Sequence, residues 1–146
     1  MPTFEEMQDT ALANLRTQIA TVSGINAVHT DVPMHVFELP AAYLYDEEPM
    51  DVEMVTSEIR AHWHVKLQVP VAGLGQGDLV ENYGLARDIR ARLVTALAAN
   101  IQLSTTYAHI VFNPGPQVAV FEVANRKFVG VECGITIHFT AHGSVT

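Results

Sequence analysis

Cysteine is almost missing from this chain: Cys133 stands alone among 146 residues. A single thiol excludes an internal disulfide and any zinc site built on several cysteines. Basic residues are scarce as well. Eight Lys and Arg stand against sixteen Asp and Glu, a formal net charge of −8. Proteins that grip phosphate backbones need the opposite balance, so nucleic acid that meets this chain is expected to pass it rather than be held. No apolar run reaches the roughly 18–20 residues that a membrane helix requires. The opening MPTFEEMQDTALANL is acidic where a secretory signal would be basic. The expectation is a protein made in the cytoplasm, without a membrane partner. Repeats, low-complexity tracts and linkers are also lacking. What the chain does have is apolar substance, 49% hydrophobic against 16% charged. That composition predicts a single globular domain over residues 1–146, able to bury its own core.

Two segments carry helical periodicity. Thr3 followed by Glu6 fits a capping box, and Phe4, Met7, Leu12, Leu15, Ile19 and Val22 fall near a 3.6-residue stripe. With Gly24 as a stop, a helix is predicted over Phe4–Val22. Asp78 with Glu81 marks a second start, and Leu79, Tyr83, Ala86, Ile89, Leu93 and Leu97 form its stripe. That helix is predicted over Leu79–Asn100, with Asp88 and Arg92 as an i,i+4 pair.

The remainder reads as strand. Ile25–Phe37 is a first candidate, broken at Pro33, and Pro40–Tyr45 a short second one. In EIRAHWHVKLQVPV the residues Ile59, Ala61, Trp63, Val65, Leu67 and Val69 alternate with Glu58, Arg60, His62, His64, Lys66 and Gln68. Period-two alternation over that length predicts one buried and one wet face. Ala108–Phe112, Val118–Val123 and Phe128–His142 follow, with turns at Asn113-Pro114-Gly115-Pro116 and Asn125-Arg126-Lys127. The order predicts an α+β fold: a mostly antiparallel sheet of about 4–6 strands with two helices packed on one face.

Four features could carry chemistry. His62 and His64 share a strand face, with Cα atoms about 7 Å apart, and a third ligand from His138, His142 or the pair His29 and Asp31 would make a metal site. The alternation already accounts for both histidines as members of the wet face. The stretch AGLGQGD, Ala72–Asp78, sits between strand and helix, where phosphate loops occur. It lacks the third glycine of G-x-G-x-x-G and the G-K-[ST] of a P-loop, and Asp78 would repel a phosphate. Cys133 falls on the apolar side of its strand, the setting of a small hydrophobe rather than a nucleophile. Five acids, Asp46, Glu47, Glu48, Asp51 and Glu53, crowd a segment read as a solvated loop. They are the candidate interface or lumen residues. No catalytic, metal or cofactor-binding residue is assigned.

The amphipathic first helix ending near Ser23-Gly24-Ile25, the strand PAAYLYD with its loop and the Trp-containing strand AHWHVKLQV resemble those of the tail terminator (tail completion) proteins of long-tailed bacteriophages. The helix ENYGLARDIRARLVTALAAN and the closing hairpin NRKFVGVECGITIHF extend the resemblance over nearly the whole chain. It rests on element order and spacing, not on an invariant motif. The resemblance implies a structural protein and not an enzyme, without cofactors. Such proteins form a homo-oligomeric ring, commonly a hexamer, on the last tail tube ring; it ends tube growth and offers the surface for the head-tail connector or neck. DNA crosses the lumen without specific binding, and the assembled protein belongs to the virion. A small metal-dependent enzyme or sensor using His62 and His64, another neck or tail connector, and a ligand-binding domain that dimerises through its sheet are the alternatives.

Overall fold

The computed structural model describes residues 3–29 and 38–142, with the side chain of His142 outside the description. The first helix, α1 (Phe4–Ala20), starts as its sequence dictates. The Glu6 amide donates to the Thr3 hydroxyl and the Thr3 amide to the Glu6 carboxylate, each at 3.2 Å. Met7, Ala11, Leu15 and Ile19 are buried along one face, so Ala11 rather than Leu12 continues the stripe. The helix ends two residues earlier than predicted, and the buried Val22 sits in the turn that follows. Gly24 closes that turn with φ of 101°, a conformation open to glycine.

Among the described residues, seven strands form one sheet. They are β1 (Ala27–His29), β2 (Ala41–Asp46), β3 (Asp51–Val55), β4 (Glu58–Gly73), β5 (Ala108–Phe112), β6 (Gln117–Val123) and β7 (Arg126–His142). The fold is α+β and mostly antiparallel, with more strands than predicted. The addition is β3, placed where the acid-rich segment was read as loop. It turns back on β4 through Thr56 and Ser57, and Ser57 has φ of 68°. Pro49 and the crowded acids masked a period-two alternation that Val52 and Met54 carry. Of the predicted strand Ile25–Phe37, only β1 is described; Pro33 and Asp31 lie outside the described residues.

The two long strands β4 and β7 run antiparallel down the centre, from Glu58 opposite His142 to Gly73 opposite Phe128. A bulge between Pro70 and Ala72 takes up the proline within the ladder. On its outer edge β4 carries β2 and β3, end to end. On its own outer edge β7 carries β5 and β6 in the same way. β1 pairs with β2 in parallel. Gly130 lets the central pair close up, since a Cβ there would stand 2.1 Å from the Val69 carbonyl oxygen.

The second helix, α2 (Leu79–Ala98), lies with α1 on one face of the sheet. Ala86, Ile89, Leu93 and Leu97 point inward, whereas Leu79, predicted for the stripe, is half exposed. The Gln18 side chain donates to the Ala96 carbonyl at 2.7 Å and ties the helices together. Arg92 donates to the Ser23 carbonyl at 3.0 Å, a tertiary contact in place of the predicted pairing with Asp88. Between helices and sheet lies the main core, where Leu15, Ile19, Ile89 and Leu93 meet Leu67, Val131, Ile135 and Ile137. Each such side chain removed from water contributes on the order of 1.5–3 kcal/mol. A smaller cluster, Tyr43, Phe121, Val123 and Phe128, closes one end of the opposite face.

Candidate functional site: the helix-free face of the sheet

With both helices on one side, the other side of the sheet presents the polar members of β4 and β7. The alternation predicted this for β4, and Arg60, His62, His64 and Lys66 are exposed or half-exposed. Gln68 departs from it and is buried. It lies in register with Tyr43, at the end that the small apolar cluster closes. Burial demands partners for its amide. The Tyr43 hydroxyl donates to the Gln68 carbonyl oxygen, and the Gln68 amide donates to Glu132 at 3.1 Å. Desolvation, added to the nearby Tyr45 and Glu132, pushes the Tyr43 phenol well above its usual range. Lys66 stands 3.7 Å from Glu132 and 3.8 Å from Glu47.

The histidines part company along the strand. His62 lies in register with His138, and His138 with His109 on the next strand. Their rings form a row across β4, β7 and β5, with centroids 4.2 Å apart for the first pair and 4.8 Å for the second. Burial lowers the pKa of His138, and His62, His109 and His64 lower it further. His64 instead places Nε2 2.9 Å from the Asp51 carboxylate and Nδ1 3.2 Å from the Thr136 hydroxyl. A carboxylate only accepts, so the proton is on Nε2. The His109 and His138 rings are stacked within 8° of parallel. Their in-plane lone pairs therefore do not converge on a common point. Among the described residues no three His, Cys, Asp or Glu side chains are grouped to hold a metal ion. His29 stands on β1, away from this row.

The five acids do not act as one loop. Asp46 ends β2 and accepts the Trp63 indole N–H at 2.9 Å, on the helix side. Glu47 faces Lys66 on the other side. Glu48 lies in the short connection, and Asp51 and Glu53 stand on β3, Asp51 beside His64. The glycine-rich segment is a turn in which Gly75 and Gly77 have positive φ. Asp78 accepts from the amides of Val80 at 2.8 Å and Glu81 at 3.3 Å, so the chain itself occupies the α2 N-terminus. Cys133 is buried, and desolvation pushes its thiol up to about 12.

Sequence reasoning missed His109 and the joining of Asp51 to His64. Both depend on strand register, which alternation within one strand does not reveal. No protein-family model matches the chain, and no curated protein matches it. Among the described residues no helix is long and apolar enough to cross a membrane.

Proposed function

We propose that this chain is a structural ring protein of the phage tail terminator type. Copies associate head to tail on the end of a tail tube, stop its growth and offer a surface to the head-tail connector. The observation that carries the reading is the placement of sheet edges left unpaired among the described residues. β3 lies on one flank of the central strand pair and β6 on the other. Different exposed edges on opposite flanks suit heterologous contacts, which generate rings when the rotation closes.

The chemistry of the surface favours a scaffold over a catalyst. The His109 and His138 rings stack, Lys66 is tied to Glu47 and Glu132, and the one thiol is buried. The charge of −8 suits a conduit, because phosphates repelled by its wall do not adhere. Glu47, Glu48, Asp51 and Glu53 are the acids proposed to face the lumen or a neighbouring ring. The test is addition of the purified protein to growing tail tubes. Tubes capped by the protein, and shortened as its concentration rises, support the reading. Tubes that grow unchanged overturn it. Neutralising those four acids is expected to lower infectivity of reconstituted phage, and full infectivity excludes a role for them.

A further inference from the structure

We infer that the row His62, His138 and His109 is a proton-operated latch on the edge strand β5: neutral rings hold the strand against β7, and protonated rings loosen it. Among the described residues β5 ends its side of the sheet, and its five residues pair with β7 alone. The Ile110 amide turns outward and donates to the Ile101 carbonyl at 2.9 Å. In an antiparallel ladder bonded and non-bonded pairs alternate, so His109 and Val111 are the residues that bond β5 to β7. His109 therefore carries part of the backbone hold as well as the ring that stacks on His138, with centroids 4.8 Å apart and planes within 8°. Beyond the strand, Thr140 donates to the Tyr107 carbonyl at 2.9 Å and Asn113 to the Gly134 carbonyl at 2.8 Å. Those two bonds bound the segment that opens.

The ion pairs among the described residues leave these three rings without a carboxylate. On β4, His62 is flanked on its own face by His64 and by Arg60, and Arg60 is bound to Glu58 at 2.7 Å. On β3, Asp51 lies in register with His62, yet its carboxylate is 2.9 Å from His64 Nε2, and Glu53 lies in register with Arg60. On β7 the neighbours of His138 on this face are the neutral Thr136 and Thr140. On β5 His109 is the one ionisable residue, and Tyr107 ahead of it packs against the main core. His62 and His109 are exposed and take up protons freely, whereas His138 is half-buried between them. Burial and the three other imidazoles hold its pKa below the usual value. Two unit charges about 5 Å apart in water oppose each other by about fourfold in an equilibrium constant. Parting β5 from β7 separates the charges and admits water to His138. Proton uptake thus favours the open form, so the hold is complete above the usual imidazole range and is lost as pH falls through the lowered value.

Amide hydrogen exchange of the whole chain reads the latch at His109 and Val111. Expressing it as protection factors removes the intrinsic pH dependence of exchange and leaves the local opening equilibrium. β6 is the internal control, since it lies along the same β7 and carries no histidine. Between pH 7 and pH 5 at low salt, protection in β5 is expected to fall about fourfold or more while β6 holds its protection. His109→Gln keeps a polar side chain on the wet face and is expected to abolish most of that fall. Added salt is expected to reduce it in the wild-type chain, because exposed charges are screened. Protection in β5 that does not change with pH overturns the latch. So does an equal loss in β5 and β6, which marks a general destabilisation, or a fall that persists undiminished in His109→Gln.

Discussion

Two glycines are expected to answer alanine with opposite signs. At Gly130 a methyl group would stand 2.1 Å from the Val69 carbonyl oxygen and 2.9 Å from Phe121 Cζ. The first obstacle is backbone of the longest strand pair, so no side-chain rotation relieves it. β4 and β7 must separate, or Phe121 must leave the cluster it forms with Tyr43 and Phe128. Overpacking of this kind costs about 1–3 kcal/mol, and a strained ladder hydrogen bond adds about 1 kcal/mol. Gly130→Ala is therefore expected to lose about 3 kcal/mol. In a domain of this size that is a fall in Tm of about 10 °C. Gly84, within α2, has nothing within 4 Å of an added Cβ and ordinary helical backbone. There alanine is expected to stabilise by about 0.8–1 kcal/mol. Urea unfolding followed by circular dichroism reads both, with an unchanged m-value as the check that only stability moved. Equal shifts at the two positions, or a neutral Gly130→Ala, would refute the close approach of β4 and β7.

Other perturbations test other parts of the fold. His138 has a pKa lowered below the usual 6.5, so the native state takes up its proton later than the unfolded chain. Its contribution is complete above pH 6.5 and is lost as pH falls through the lowered value; the urea midpoint is expected to drop between pH 7 and 5, and His138→Gln to flatten that drop. Leu93→Ala, at a position with no exposure, is expected to cost about 2–5 kcal/mol in the same urea assay. Asp78→Ala removes both side-chain bonds at the start of α2 and is expected to cost about 1 kcal/mol, read as a shift in Tm. Cys133 should react with a thiol reagent only as fast as the protein opens; rapid labelling of the native protein would contradict its burial.

The sequence was most legible where one element carried its own signal. The Thr3–Glu6 capping box and the Asp78 cap set the helix starts, and both caps form as the residue types require. The β4 alternation identified the buried Trp63 face and most of the polar face. Signals that compete within a few residues were less legible. Across residues 46–54 proline and five acids outweighed the alternation of Val52 and Met54, so β3 went unread. Gln68 kept its place in the alternation, yet its environment is set by Tyr43 on a neighbouring strand. Leu79 satisfied helical spacing but lies in the first turn, at the edge of what the sheet covers. The histidine row is a product of register among three strands, and nothing local to His62, His109 or His138 announces it.

The most direct measurement of the central claim is native mass by sedimentation, over a range of concentrations, with and without chelator and after mixing with tail tubes. The account predicts a closed assembly on its own or on the tube. A hexamer would have a mass of about 96 kDa, six times the 16.0 kDa chain, and would be indifferent to chelator. A chain that remains at 16.0 kDa in every condition and never co-sediments with tubes would contradict it, as would a dimer that dissociates when metal is withdrawn.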